Sequence, residues 1–385
     1  MRAVIRKNLK MIEKYLEIPA DELKAKNGYW TAREISLESE IWADAVKTTE
    51  NLKKDIEAFF SSIVSNSDAR IILTGAGTSS FIGEAIAANL ANILPCRVEA
   101  ISTTNIVASP ELYLRKETPT LVISYSRSGG SPESVAACDL AEQIINDCYH
   151  LIITCNKDGA LASYDQKAKN SFLLLMPDET HDQGFAMTVS YTSMMLSTLW
   201  IFAPNPVMFG KATTLSNRVL SIDNINKAKD LSQNGFTRIV FLGAGNLRGI
   251  AKEACLKMLE LTAGKVDCYF DSPLGFRHGP KLIINDTTLV VLLNSSDPRT
   301  KKYDRDLIAE LKRDKLTNHI IELSDIVDLQ DDPIDDMWLS FPYIIFCQML
   351  AFEKSLVVGV TPDNPSPTGE ANRVVQGVTI YPLKD

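Results

Sequence analysis

Short apolar runs alternate with longer segments of helical periodicity from about residue 68 onward. Five runs have the length of buried strands: 70–74, 97–101, 120–124, 150–154 and 171–175. Segments such as 80–93, 132–147 and 187–203 have the apolar spacing of helices. Because strands that alternate with helices pair in parallel with helices on both faces, this pattern predicts an α/β fold.

The same pattern restarts in the second half of the chain. Residues 238–242 precede Gly243-Ala244-Gly245 and a helical segment, about 168 residues after the matching run at 71. Residues 289–293 then precede the polar loop 294–298. A supersecondary pattern that recurs at this distance predicts two tandem units of one kind, each a mainly parallel sheet flanked by helices.

The two ends of the chain have different patterns. Ile5, Leu9, Ile12 and Leu16 recur at helical spacing, and Thr31 with Glu34 has the form of a capping box that starts another helix. The last residues are rich in proline and polar groups but contain apolar positions that favour docking. The predicted division is an N-terminal helical segment at 1–45, a first α/β domain at 46–210, a second at 211–365 and a C-terminal tail at 366–385.

Composition excludes several classes of function. The chain has 385 residues, 45% of them hydrophobic, and a net charge of −8, which argues against nonspecific nucleic-acid binding. No apolar run reaches the length of a membrane span, and no signal peptide is evident. Seven scattered cysteines are typical of a reducing cytoplasm. The four histidines show no metal-ligand spacing, so we expect no metal and no cofactor.

The strongest chemical signal is the loop Ser124–Ser134, which follows an apolar strand and precedes a helix. Its hydroxyl groups and glycines would place O–H and N–H donors at a helix N-terminus, which attracts anions. It lacks the Gly-Lys-Ser/Thr of a nucleotide-binding P-loop. A loop of this composition therefore favours one small phosphate monoester, such as a sugar phosphate.

A second loop of the same kind is Thr74–Ser80, again between a strand and a helix. Neighbouring parallel strands end at the same edge of a sheet, where open α/β sheets bind ligands. In the second half, Asn246-Leu247-Arg248 replaces Thr78-Ser79-Ser80. We therefore expect the first unit to hold phosphate and the second to supply other groups.

Together the Gly-x-Gly-Thr-Ser and Ser-x-Ser-Gly-x-Ser motifs resemble the sugar isomerase (SIS) domain family, which binds phosphosugars. The closest similarity is to AgaS-type galactosamine-6-phosphate deaminases and tagatose-6-phosphate ketose/aldose isomerases. The chain also resembles the isomerase half of glucosamine-6-phosphate synthase. The resemblance implies that phosphate is held by Ser126, Arg127, Ser128, Ser131, Thr78 and Ser79. It implies further contacts to the sugar from Gly77 and Ser190.

The resemblance also points to catalytic residues. In the synthase family a Lys-x-x-Glu helix is followed by a loop that ends in His-Gly-Pro, and Lys257, Glu260 and His278 match those positions. It implies that Glu260 moves a proton between C1 and C2, that His278 assists ring opening from a neighbouring subunit of a homodimer, and that Lys257 stabilises charge or orients Glu260. An ion pair on a helix surface is the alternative for Lys257 and Glu260.

Some assignments stay open at this point. Arg127 either adds charge to the phosphate pocket or points into solvent. His181 belongs to a polar loop or selects substrate. The synthase tail covers the site and carries a lysine, whereas this tail has Gln376 near that place and no lysine before Lys384. Asn372 or Arg373 would then make the contribution of the tail.

We expect an enzyme that converts galactosamine-6-phosphate to tagatose-6-phosphate and ammonia. Because water enters as ammonia leaves, we also expect it to be a hydrolase. The alternatives are a ketose/aldose isomerase for tagatose-6-phosphate, a glucosamine-6-phosphate deaminase, and a sugar-phosphate sensor without catalysis. The sensor would need no catalytic base, so Lys257, Glu260 and His278 argue against it.

Overall fold

A computed structural model describes residues 14–329 and 333–383. Its first part is a two-stranded hairpin followed by two helices. These elements are β1 (Lys14–Tyr15), β2 (Ile18–Pro19), α1 (Ala20–Ala25) and α2 (Tyr29–Val64). Most of the helix predicted around Ile5–Leu16 falls outside the described residues. Leu16 is described, and it lies in the hairpin turn with φ of 47°, which is not helical.

The first α/β unit is built on five parallel strands in the order β4-β3-β5-β6-β7. Its elements are β3 (Arg70–Thr74), α3 (Thr78–Ile93), β4 (Arg97–Ala100), α4 (Thr103–Ala108), α5 (Pro110–Tyr113), β5 (Thr120–Ser126), α6 (Pro132–Ile144), β6 (Cys148–Thr154), β7 (Ser171–Leu175) and α7 (Val189–Phe202). All five strands coincide with the apolar runs in the sequence. The alternation of strands and helices along the chain is therefore visible in the pattern of apolar positions.

The second unit has four parallel strands in the order β11-β10-β8-β9. It follows two helices, and the elements are α8 (Pro206–Val219), α9 (Ile222–Gln233), β8 (Arg238–Gly243), α10 (Leu247–Leu261), β9 (Asp267–Asp271), α11 (Pro273–Phe276), β10 (Thr288–Leu293), α12 (Thr300–Asp314), β11 (Ile320–Glu322), α13 (Leu323–Val327) and α14 (Asp336–Val357). Two mainly parallel sheets with helices confirm the predicted α/β class. Within the described ranges, no helix is both long and apolar enough to span a bilayer.

Helix α2 packs along α7 through polar as well as apolar contacts. The indole nitrogen of Trp42 donates to the hydroxyl of Thr192 over 2.9 Å, and that hydroxyl lies 2.6 Å from a carboxylate oxygen of Glu38. All three side chains are fully buried. The predicted domain boundary at residues 45 and 46 falls inside this continuous helix, and the division into domains stays a prediction.

The start of α2 corrects the capping prediction. The helix begins at Tyr29, so Thr31 lies in its first turn and is not the N-cap. The backbone N–H groups of Trp30 and Thr31, in the first turn of the helix, donate to the carboxylate of Asp363 over 3.0 and 2.8 Å. The Thr31 hydroxyl donates to the same carboxylate. A residue near the other end of the chain thus satisfies the helix terminus, as a local cap otherwise would.

Helices α3 and α10 bring the two units into direct contact at Gly249. A Cβ atom on Gly249 would lie 2.7 Å from the backbone N and Cα of Ala85 in α3. A separation this small leaves no space for a side chain. The close approach places the first turn of α3, which begins at Thr78, beside the C-terminal half of α10.

We predict that Gly249→Ala destabilises the protein, because the added methyl group must push α3 and α10 apart. Overpacking of this kind costs about 1–3 kcal/mol. Gly210→Ala is the matched control, since Gly210 is also helical but a Cβ atom there would meet no neighbouring element within 4 Å. That change should raise the free energy of unfolding by about 0.5–1 kcal/mol. Urea unfolding of both variants measures the difference; equal stabilities would contradict the close packing.

Candidate active site

The loop between β3 and α3 is shaped by two glycines. A Cβ on Gly75 would lie 2.6 Å from Ser79, so the loop can fold back on the helix only with glycine there. Gly77 has φ of 55°, a left-handed conformation that favours glycine. The turn ends at the N-terminus of α3, where Thr78 and Ser79 are buried. Backbone N–H groups and hydroxyls are thereby gathered at a helix N-terminus, a favourable place for an anion.

The loop between β5 and α6 repeats this arrangement. The hydroxyl of Ser126 accepts a hydrogen bond from the N–H of Gly129 over 2.8 Å, which closes the turn. Gly129 has φ of 63°. At the end of the loop the hydroxyls of Ser131 and Ser134 lie 2.6 Å apart, at the N-terminus of α6. Strands β3 and β5 are neighbours, so the two loops open onto the same space.

That space is a cavity of about 190 Å³. It is bounded by both loops, by α10 and by the C-terminal tail. The residues predicted from the sequence that line it are Gly77, Thr78, Ser79, Ser126, Arg127, Ser128, Ser131, Glu260, Asn372 and Arg373. Residues from four distant parts of the sequence therefore share one cavity wall.

Lys257 lies behind this wall, fully buried on α10. Its Nζ atom is 2.5 Å from a carboxylate oxygen of Glu260 and 3.3 Å from one of Glu253, and it donates to the Thr78 hydroxyl over 2.9 Å. Glu260 is 24% exposed, whereas Lys257 and Glu253 are not exposed at all. The surface ion pair considered as an alternative does not fit this burial. Lys257 instead fixes the orientation of the one carboxylate that reaches the cavity.

Glu253 completes the charge balance of this cluster. Burial, opposed by Lys257 and reinforced by the nearby charge of Glu260, raises its pKa to about 8. Burial disfavours the charge of Lys257, but both glutamates favour it, and its pKa lies above the ordinary value. With Glu253 protonated near neutral pH, Lys257 and Glu260 form a compensated ion pair.

Arg127 lines the cavity and does not point into solvent. Its guanidinium donates to the backbone carbonyls of Phe185 over 2.9 Å and Arg373 over 2.8 Å. The Nε of Arg373 donates in turn to the carbonyl of Gly184 over 3.0 Å. Arg127 therefore holds the tail over the cavity. The Nη2 atom of Arg373 is buried and has no hydrogen-bond partner within the described part of the chain.

Two carboxylates hold the segment that carries Gly184 and Phe185. Asp182 is fully buried and accepts hydrogen bonds from the backbone N–H groups of Thr188, Val189 and Ser190, at the start of α7. Glu34 of α2 accepts from the N–H groups of Gln183 and Gly184. The backbone carbonyls that receive Arg127 are thus fixed from both sides.

Three other predicted residues lie outside the cavity wall. The hydroxyl of Ser190 is fully buried and donates to Asp182. His181 is half-buried, and burial together with the positive charges of Arg373 and Arg127 lowers its pKa. His278 is exposed, in the turn that follows α11 of the second unit. Lys384 lies outside the described residues.

In the second unit, the loop after β10 corresponds to the loop after β5, and its donors are paired with a side chain of the protein itself. The hydroxyls of Ser295 and Ser296 donate to the carboxylate of Asp336 over 2.5 and 2.7 Å, and the N–H of Ser296 donates to it as well. Asp336 is the first residue of α14. A carboxylate of the chain itself thus takes up the donors that an anion would otherwise use.

Sequence reasoning missed several residues of this site. Glu253 precedes Lys257 by four positions and therefore shares its helix face, a signal that was present in the spacing. Asp182 and Glu34 gave no local signal, because their partners are backbone groups of a loop. The unpredicted residues on the cavity wall are Ala76, Ser134, Phe185, Met187, Val374 and Val375.

Comparisons with known proteins agree with the fold. The SIS domain family model matches residues 63–203. The chain is 48% identical to the D-galactosamine-6-phosphate deaminase AgaS of Shewanella sp. (strain ANA-3), across 96% of each protein. The crystal structure of tagatose-6-phosphate ketose/aldose isomerase from Escherichia coli superposes with a TM-score of 0.84 at 42% identity, covering 93% of this chain and 98% of that one.

A more distant match is the glutamine–fructose-6-phosphate aminotransferase (isomerizing) of Buchnera aphidicola subsp. Baizongia pistaciae (strain Bp). It is 23% identical over 64% of this chain and 42% of the relative. This match bears out the predicted relation to the synthase.

The expectation of a hydrolase is wrong. The similar proteins are named as a deaminase and an isomerase. The reason lies in the chemistry, since these activities are defined by loss of ammonia and by a shift of hydrogen between carbons, and entry of water is secondary. With 48% identity over almost its whole length, the chain belongs to the AgaS group of the SIS domain family.

Proposed function

We propose that this enzyme converts galactosamine-6-phosphate and water to tagatose-6-phosphate and ammonia. One observation carries the proposal: the Glu260 carboxylate, held by the buried Lys257, lines the same cavity as two hydroxyl-rich loops at helix N-termini. An anion site and a positioned base in one small cavity suit a phosphosugar whose reacting carbons lie away from its phosphate. The name of the Shewanella relative supports the choice of substrate.

In this proposal the two loops bind the phosphate. Ser126, Ser128 and Ser131 contribute from the loop before α6, and Thr78 and Ser79 from the loop before α3. Because phosphate lies far from C1 and C2, its binding energy fixes the reacting carbons against Glu260. The exposed side chain of Asn372, at the cavity wall, is available for oxygen atoms of the substrate.

Glu260 acts on the open-chain sugar. It removes the proton from C2, next to the C1 aldehyde, and returns it to C1. One proton of the amine passes to the C1 oxygen, which leaves an alcohol at C1 and an imine at C2. Water adds to C2, and ammonia departs to leave the ketone. The Lys257 ammonium keeps the Glu260 carboxylate in place for this transfer.

We propose that ring opening is assisted by His278 from the second subunit of a homodimer. His278 is exposed and lies apart from the cavity of its own chain, as a residue contributed to a neighbour would. We also propose a cytoplasmic location, which suits the seven free cysteines.

A plain ketose/aldose isomerase acting on tagatose-6-phosphate is the second candidate. The name of the 42% identical Escherichia coli structure favours it. The same proton transfer by Glu260 would serve both reactions, since only the group on C2 differs.

Ammonia release separates these candidates. We expect ammonia from galactosamine-6-phosphate, with glucosamine-6-phosphate and tagatose-6-phosphate assayed in parallel by a coupled enzymatic assay. The two amino sugars differ at one hydroxyl group, and the ratio of kcat/KM values measures the preference. If neither amino sugar yields ammonia while tagatose-6-phosphate is converted to an aldose phosphate, the enzyme is the plain isomerase.

Glu260→Gln should lower kcat by about 10²–10⁴ because the amide cannot accept the C2 proton. Binding of the phosphosugar, measured by calorimetry, should change little. Glu84→Gln is the matched control, because Glu84 pairs with Lys252 between the same two helices over 2.6 Å but does not line the cavity. Turnover in Glu260→Gln equal to that of the control would remove Glu260 from the mechanism.

Mixing the inactive variants Glu260→Gln and His278→Ala tests the shared site. In a mixed dimer one of the two sites would combine an intact Glu260 with an intact His278, so activity should return. Native mass spectrometry establishes that mixed dimers have formed. Mixed dimers without activity would show that His278 does not serve a neighbouring site.

A further inference from the structure

A cluster of possible metal ligands lies away from the cavity, between α6 and β6. Glu142 is near the end of α6, and Cys148 and His150 alternate along β6 so that both face the helix. The Nε2 atom of His150 is 3.0 Å from a carboxylate oxygen of Glu142 and 3.4 Å from the sulfur of Cys148. The three ligand atoms all lie within 4.8 Å of one another.

These distances are close to those of a tetrahedral zinc site. Zinc binds imidazole nitrogen at about 2.0–2.1 Å and thiolate sulfur at about 2.3 Å, which gives ligand-to-ligand edges of about 3.3–3.6 Å. The nitrogen-to-oxygen and nitrogen-to-sulfur separations here differ from those edges by a few tenths of an ångström. Small side-chain movements would bring all three atoms into the first coordination sphere.

A second cysteine lies on the same helix. Cys138 is one turn before Glu142 and is fully buried. The hydroxyl of Ser124 lies 3.4 Å from the sulfur of Cys138. The three ligand groups of the cluster do not include Cys138.

A hydrogen bond cannot satisfy this arrangement fully. The Nε2 atom carries at most one proton, yet a carboxylate oxygen of Glu142 and the sulfur of Cys148 both converge on it. His150 and Cys148 are buried, and only the 35% exposed side chain of Glu142 connects the cluster to solvent. A divalent ion would bind all the converging groups at once.

We propose that Glu142, Cys148 and His150 bind a zinc ion that joins α6 to β6, with the fourth position taken by water on the exposed side of Glu142. None of these residues lines the cavity, so the role of the ion is structural. Helix α6 begins at the loop that carries Ser131. The ion would therefore anchor the far end of the helix that presents the phosphate loop.

The proposal revises our expectation that no zinc is bound. That expectation rested on the absence of paired histidines. The three ligands follow the spacing Glu-x₅-Cys-x-His, in which a single histidine and a helix-to-strand connection conceal the common face.

Metal reconstitution of the full-length protein provides the test. After removal of metals by chelator and dialysis, Zn²⁺ should bind at about one equivalent per chain and raise the midpoint of thermal unfolding. Co²⁺ in its place should show the intense visible bands of a tetrahedral site and a sulfur-to-cobalt charge-transfer band. Elemental analysis, calorimetry and absorption spectroscopy measure these quantities.

Cys148→Ser should remove most of the charge-transfer band and weaken zinc binding by at least about 10-fold. Glu142→Gln, at a partly exposed position that tolerates substitution, should weaken zinc binding to a similar degree. Asp139→Asn is the matched control, because Asp139 lies on the same helix but pairs with Lys167 over 2.5 Å outside the cluster. It should bind Zn²⁺ like the wild type. Absence of stoichiometric binding, or binding that Cys148→Ser and Glu142→Gln leave unchanged, would overturn the proposal.

Discussion

The candidate site depends on one buried charge. The ammonium of Lys257 has no contact with solvent, and a charge in that position is tolerated only when opposite charges and hydrogen bonds compensate it. Glu260 provides the opposite charge and Glu253 a second carboxyl oxygen, both from the same helix, and the hydroxyl of Thr78, in the other unit, accepts a hydrogen bond. Compensation of Lys257 therefore fixes α10 of the second unit against the loop before α3 of the first. The close approach at Gly249 serves the same alignment through packing.

A second set of interactions determines what covers the cavity. Glu34 holds the backbone at Gly184, the carbonyls of Gly184 and Phe185 face Arg127, and Arg127 holds the carbonyl of Arg373. The acceptors are backbone carbonyls, so the arrangement depends on the path of the chain more than on the identity of the side chains along it. Hydrogen bonds in this way link helix α2, the loop before α7 and the tail to the guanidinium of Arg127. Opening the cavity from the tail side requires these hydrogen bonds to break together.

Much of the fold and part of the site were accessible from the sequence, for physical reasons. The central strands β3, β5 and β6 are largely apolar runs because both faces of a parallel sheet are buried. The hydroxyl-rich loops were recognisable because glycine and serine at a strand end serve few other purposes. Three contacts could not be predicted from the sequence: Asp363 caps α2, Arg127 binds Arg373, and Cys148 faces Glu142. Each joins polar groups whose proximity is created by tertiary packing, and local sequence carries no trace of it.

The carboxylate of Asp336 makes the second unit differ from the first. A loop built to receive an anion has donors that cannot be left unpaired when burial removes them from water. In the second unit an aspartate at the start of α14 supplies a permanent internal counterpart. The loop of the second unit is therefore part of the scaffold, because its donors are already paired inside the protein. In the first unit, by contrast, the hydroxyls of the corresponding loop line an open cavity.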